Sequence, residues 1–321
     1  MRHLPRQAVL SIIGAVLLLA GVVLFAPGPF PRSEVRPVPG TPSLTGTPAA
    51  ATPIASPTSA RPSPAASPSG AVSSDAAAML RVHNELRSAI GAPPVRSDDR
   101  VAAAAQRHAE YLVRNSAGGH EESAGQPGFT GTSVRDRLIA QGYDATTASE
   151  VATSVGPGTA GVRSLWVLPY HRLGLMHPHA IVAGWGHAEA GGRSATVGVL
   201  VYDFGSAAPD LLRSPAAGQR VAGTWDGQEF PDVLPSGAAR PVGHPVMLMA
   251  GGARAVELRS ARITGPAGEI PHHVVPVIYE RDYVAIVPAQ PLAPGARYRV
   301  RLELTIAGRP VVEEWEFETE R

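Results

Sequence analysis

The sequence contains no cysteine, and all 28 of its basic residues are arginine, because lysine is absent as well. Without cysteine the chain cannot form disulfides, bind zinc through thiolates, use a thiol nucleophile or carry a lipid on sulfur. We therefore expect that the folded chain is stabilised by packing alone.

A strong net charge is also missing, since 28 basic residues face 27 acidic ones and the formal charge is +1. The chain therefore lacks the net positive charge that favours binding to nucleic acid, and we predict no nucleic-acid partner. The sequence also lacks a His-Glu-x-x-His helix, a Gly-x-Ser-x-Gly elbow, a P-loop and a dinucleotide fingerprint. The enzyme classes that these motifs mark are therefore not indicated.

Residues 8–26 form an uncharged apolar run that follows Arg2 and Arg6. As a helix this run would extend about 28 Å, close to the thickness of a bilayer core. The two arginines predict that residues 1–7 stay in the cytoplasm. We therefore predict a signal anchor, a membrane partner through 8–26, and a single-pass protein of the cell membrane with its bulk outside. A cleaved signal peptide, which would make the protein secreted, is the alternative.

The next segment, 27–74, holds 12 prolines among alanine, serine, threonine and glycine. Such a composition buries too little apolar surface to offset the entropy of ordering. We predict a disordered linker with an extended reach on the order of 150 Å, at about 3.1 Å per residue. It would hold the following domain away from the membrane.

Residues 75–207 show helical periodicity followed by apolar strand patterns. Four helices are predicted, the last of them ending at Pro169, and two strands follow at Ile181–His187 and Ala195–Phe204. Helices that precede strands without a βαβ rhythm indicate an α+β domain.

After a connecting segment, 208–240, the pattern changes to short strands separated by glycine and proline turns. Residues 297–306 alternate strictly between apolar and polar side chains. Such strands predict a small all-β sandwich over 241–321, similar to bacterial Ig-like modules. A surface adhesion function that acts through this sandwich is one alternative function for the chain.

The first domain carries a series of short motifs in a fixed order. They are Val82-His83-Asn84-Glu85-Leu86-Arg87, Gly118-Gly119-His120, Arg137 followed by Gly142-Tyr143, Glu150, Trp166, Tyr170-His171-Arg172 and a closing Val201-Tyr202-Asp203-Phe204 strand. This series resembles the CAP superfamily of cysteine-rich secretory proteins, antigen 5 and pathogenesis-related 1, in its bacterial, SCP-like extracellular branch. The resemblance implies an α-β-α sandwich with a surface cleft that holds two histidines and two glutamates.

By position, the resemblance implies that His120, Glu150 and His171 line the cleft, with Tyr170 beside them. The family's second glutamate is missing, because Arg163 and Ser164 stand where it would be, and Glu121 or Glu122 could replace it. Ser149 and Val151 also replace the glycine and asparagine that flank the glutamate in the family.

Two interpretations of this trio remain open. His120 and His171, with Glu150, could hold zinc or another divalent cation and leave a fourth position for water, as in a metal-assisted hydrolase. Alternatively, Glu150 fixes the histidines in a hydrogen-bonded cluster without chemistry. Because no complete catalytic signature is present, the leading hypothesis is ligand binding without turnover. The expected ligand is a component of the cell envelope, a lipid or a small molecule, and no cofactor is required.

Overall fold

Five helices and fourteen strands make up the part of the chain that the structure, a computed structural model, describes, namely residues 74–252 and 254–321. The predicted anchor, 8–26, and the linker up to residue 73 lie outside this part. Within it, no helix is both long enough and apolar enough to cross a membrane. The mixture of helices and strands, with a C-terminal part that is mostly β, confirms the predicted α+β class.

Two of the helices, α2 (Asp99–Arg114) and α3 (Val134–Ala140), begin next to residues whose side chains cap them. The Asp98 side chain accepts the Arg100 N–H at the start of α2, and Ser133 with Asp136 forms a capping box on α3. Pro169 does not end the last helical region as predicted, because a further helix starts there with proline in its first turn. The helices are α1 Ser74–Ala89, α2 Asp99–Arg114, α3 Val134–Ala140, α4 Thr159–Val167 and α5 Pro169–Met176.

A three-stranded antiparallel sheet lies between these helices. Its strands are β1 Ala148–Thr153, β2 Ala180–Ala190 and β3 Arg193–Tyr202, in the order β1-β3-β2. One face packs on α2 and α3 through residues such as Ala148 and Ala152, while Val151 packs with α1, α4 and α5 on the other. The result is an α-β-α sandwich, in which alternate residues of β1 face different helical layers.

The remaining strands form two larger sheets and a short hairpin. The strands are β4 Leu211–Ser214, β5 Arg220–Val221, β6 Thr224–Trp225, β7 Val242–Gly243, β8 Val246–Ala250, β9 Val256–Gly265, β10 Gly268–Ile270, β11 His272–Val274, β12 Tyr283–Pro288, β13 Arg297–Ile306 and β14 Arg309–Thr319. The five-stranded sheet has the order β10-β9-β13-β14-β5, the four-stranded sheet has the order β11-β12-β8-β4, and β6 pairs with β7. The segment 208–240 therefore supplies strands to both larger sheets, whereas the sequence suggests only a connection.

The two central strands of the four-stranded sheet, β8 and β12, are buried on both faces. On one face, Val246, Leu248 and Ile286 pack against the five-stranded sheet. On the other, Met247 and Met249 share a core with α1, α4 and α5. Helices α1, α4 and α5 thus lie between two sheets, and the sandwich and the helical domain are joined by one continuous apolar core.

Arg172 on α5 forms hydrogen bonds across the contact between the helices and the β-sandwich. Its guanidinium is fully buried and donates to carbonyl oxygens of Trp166, Val167 and Pro245. Burial lowers the pKa of Arg172 to about 9, so the side chain keeps its charge at neutral pH. A single arginine therefore connects α4 and α5 with the β8 end of the sandwich.

His83 on α1 is a buried histidine whose environment disfavours the charged form. Its Nε2 lies 2.9 Å from the Leu175 carbonyl oxygen, and its Nδ1 has no hydrogen-bond partner. Burial, and then the charge of Arg87, lower the pKa of His83 to about 3. The unfolded chain therefore binds a proton near pH 6.5 that the folded chain takes up only near pH 3.

This difference predicts that stability falls as the pH drops below about 6.5. Between pH 7 and pH 5, the titration of His83 alone should lower the free energy of unfolding by about 2 kcal/mol. In His83→Gln, which cannot titrate, the decrease should be smaller by that amount, as urea unfolding at a series of pH values would show. Equal pH dependence in both proteins would contradict a neutral buried His83.

Candidate functional site

Five polar side chains meet on the α2–α3 side of the small sheet. His108 comes from α2, Arg137 from α3, Glu150 from β1, and His120 and Glu122 from the loop that joins α2 to α3. We call these five residues the His–Glu cluster. The side chains of His108, Glu122, Arg137 and Glu150 have no exposed surface, whereas that of His120 is 8% exposed. His120 is therefore the member at the rim.

Glu150 lies at the centre of the cluster and uses both carboxylate oxygens. Its Oε1 is 3.0 Å from Nδ1 of His120 and 3.3 Å from Nε2 of His108. Its Oε2 accepts a hydrogen bond of 2.7 Å from Nη2 of Arg137. The strand places Glu150 here because residues 148, 150 and 152 share the face toward α2 and α3.

Both ring nitrogens of His108 face oxygen acceptors. Nδ1 lies 3.0 Å from Oε1 of Glu122, and Nε2 lies 3.2 Å from the carbonyl oxygen of Gly119. With Arg137, the His108 ring therefore lies against the two carboxylates of the cluster, Glu122 and Glu150.

The pKa of Glu150 reflects both its burial and its neighbours in the cluster. Burial alone would raise it, but the charges of His108 and Arg137 outweigh burial and lower the pKa to about 2. For Glu122, burial also opposes ionisation, and the hydrogen bond from His108 with that from the Thr130 N–H lowers its pKa. Both carboxylates are therefore ionised at neutral pH, and neither holds a proton to donate.

The match to a known family decides what this domain is. Residues 80–202 match the family model described as the cysteine-rich secretory protein family, CAP. These residues are a CAP domain. The match confirms the resemblance inferred from the motif order, and it ends at Tyr202, the last residue of β3.

Three solved structures show what the chain is similar to. An extracellular protein with an SCP domain from Bacillus anthracis is 19% identical, with 40% of each chain covered and a TM-score of 0.34. An outer surface protein from Borrelia burgdorferi is 18% identical over 40% of this chain and 92% of its own, with a TM-score of 0.35. CopC from Methylosinus trichosporium is 20% identical over 34% of this chain and 88% of its own, with a TM-score of 0.24. No curated protein matches the sequence.

The structure brings together only part of the trio predicted for the CAP cleft. His120 and Glu150 are hydrogen-bonded, and Glu122 joins them as the second carboxylate. Its neighbour Glu121, the other candidate for that role, is exposed. Arg163, in the position of the family's second glutamate, pairs with Glu85 at 3.5 Å.

His171 lies in a different place, on α5. This helix packs on the other face of the sheet, where Ser149 of β1 approaches Gly174. His171 is fully buried and bonds to Glu229 of the segment after the CAP domain rather than to Glu150. Tyr170 is buried as well and donates to the Pro276 carbonyl oxygen at 2.9 Å.

This separation bears on the proposed metal site of His120 and His171. Nδ1 of His120 faces Glu150, and Nδ1 of His171 faces Glu229, so the two rings belong to different networks. Among residues 74–252 and 254–321, no group of three histidine, aspartate or glutamate side chains is placed to hold a metal ion. The residues present do not fit the zinc trio, and we derive no step through a metal.

Three residues of these networks are not predicted as site residues from the sequence. His108 has the spacing of a helix-packing residue, Arg137 enters only through the family resemblance, and Glu229 stands in a segment without strand periodicity. For His108 and Arg137, helical periodicity places both on buried faces, where charged side chains require partners. For Glu229 the sequence offers no comparable signal.

Replacing Glu150 with glutamine tests whether the cluster depends on its charge. Glu150→Gln leaves His108 and Arg137 with one carboxylate between them in a buried site. We expect a loss of about 3–5 kcal/mol of unfolding free energy at pH 7, measured by urea denaturation. Asp144→Asn is the matched control, because its pair with Arg135 is exposed and 3.9 Å long. A cost below about 1 kcal/mol for Glu150→Gln would contradict the role of the charge.

Proposed function

We propose that this chain is an exported, membrane-tethered CAP-domain protein that binds a ligand of the cell envelope or extracellular space at His120, without catalytic turnover. The observation that carries the proposal is the burial of the His–Glu cluster. Four of its members are fully buried and pair with one another, and of the five only His120 has exposed side-chain surface. The buried members would then hold the His120 ring in place.

The state of Glu150 argues against acid–base catalysis at this site. A general acid or base works best with a pKa near the operating pH. The pKa of Glu150 is about 2, and both its oxygens already face His120, His108 and Arg137. A carboxylate in this state positions a neighbouring ring but exchanges no proton near pH 7.

The expected ligand is a polar small molecule or a lipid headgroup from the envelope. Support for an extracellular location comes from the apolar run 8–26 and the proline-rich linker that follows it. The similar structures from Bacillus anthracis and Borrelia burgdorferi are described as an extracellular and an outer surface protein. A long linker would let a tethered domain reach ligands away from the membrane.

Ligand binding is tested with the full-length protein and an extract of envelope lipids and small molecules. After incubation and washing, mass spectrometry identifies the compounds that remain bound. We expect at least tenfold less of a specific compound on His120→Ala than on the unaltered protein. His272→Ala, which removes a histidine of β11 outside the cluster, should retain it fully. Equal retention by all three proteins would overturn the assignment of the site.

The topology is tested separately on intact cells. A protease added outside should digest residues 74–321, because the anchor would place them beyond the membrane. The same treatment should leave a cytoplasmic marker protein untouched. Protection of the CAP domain until the cells are lysed would rule out the exported orientation.

A further inference from the structure

A carboxylate from outside the CAP domain lies on the first turn of α5. Oε1 of Glu229 accepts the backbone N–H of His171 at 3.1 Å and lies 2.7 Å from Nδ1 of the same residue. Two donors of one residue thus converge on one oxygen. Free backbone N–H groups at the start of a helix favour a negative charge, and an imidazole N–H adds a directed donor.

The pair is buried but incompletely bonded. The side chains of His171 and Glu229 have no exposed surface. Even so, Nε2 of His171 and Oε2 of Glu229 have no hydrogen-bond partner. Burying a polar atom without a partner is unfavourable, so groups that serve only stability normally use their full bonding capacity. The start of α5 thus binds the Glu229 carboxylate, but one polar atom of each side chain is left without a hydrogen bond.

Glu229 belongs to a surface loop rather than to a sheet. No strand is present between β6, which ends at Trp225, and β7, which begins at Val242. The residues on either side of Glu229 are exposed, and the Phe230 side chain is an exposed apolar group at 42%. Withdrawal of Glu229 therefore requires movement of a loop and breaks no ladder of the sheets.

We propose that the first turn of α5, with the backbone N–H and Nδ1–H of His171, is a carboxylate-binding site, and that Glu229 is its built-in, displaceable occupant. An external carboxylate would take the place of the Glu229 side chain on the same two donors. The ligand class is a carboxylate, either a small free acid or the C-terminal carboxylate of a peptide. This site is separate from the His–Glu cluster, so the inference does not rest on the proposed function.

The occupant sets the affinity of the site. A group on the same chain competes at an effective concentration in the millimolar range for short flexible connections. Glu229 should therefore weaken the binding of any free carboxylate to the unaltered protein. Removing the side chain should leave both donors of His171 in place and the site vacant.

The experiment titrates acetate into full-length Glu229→Ala by calorimetry at constant ionic strength, with chloride as the reference anion. We expect saturable binding at least tenfold tighter than to the unaltered protein. Asp232→Ala is the matched control, since it removes an exposed carboxylate three residues away whose partner is Arg240. It should bind acetate no better than the unaltered protein. If acetate binds Glu229→Ala no more tightly than these two proteins, the proposal is wrong.

Glu229→Gln provides a second variant in case the alanine protein does not fold. Its amide oxygen can still accept from His171 but carries no charge, so acetate should displace it more readily than it displaces Glu229. An unchanged acetate affinity in this folded variant would also overturn the proposal.

Tri-alanine and its C-terminal amide separate the two ligand sources. Binding of the free peptide but not the amide would assign the site to chain ends. Binding of acetate but neither peptide would assign it to small acids.

Discussion

The apolar core around α1, α4 and α5 is the constraint on which the remaining structure depends. These helices cover one face of the three-stranded sheet and, at the same time, one face of the four-stranded sheet. Because both sheets use the same helices, the CAP domain and the β-sandwich share side chains such as Leu165 and Met249 in one core. Arg172 adds polar connections to that core through the Pro245 carbonyl oxygen.

The same core decides which polar side chains are accessible. Residues on α5 lie beneath the sandwich and its loops, and this explains the burial of Tyr170 and His171. Residues on the opposite side of the sheet have only α2, α3 and their connecting loop above them, so His120 retains some exposure. The rim of the His–Glu cluster and the His171 site are therefore two separate regions, and the sheet lies between their helical layers.

Helices α1 to α4 and the order of the motifs could be predicted from the sequence because they depend on local signals. Ser133 with Asp136 indicates a helix start, and the apolar pattern of β3 indicates a strand. Strand β1 could not be recognised, since Ala148–Thr153 has few large apolar residues and is a strand because it pairs with β3. Because this strand is not predicted, only the family resemblance, and not the local sequence pattern, places Glu150 in the site.

The contacts of His171 could not be predicted from the sequence for a different reason. The family resemblance places this histidine in a cleft, but a resemblance over residues 80–202 carries no information about a carboxylate at position 229. Glu229 is 58 residues away and reaches His171 only because the shared core fixes α5 against the sandwich. A residue that marks a binding site in an isolated CAP domain is thus a partner of the adjoining segment here. Any ligand at His171 must therefore compete with the Glu229 carboxylate.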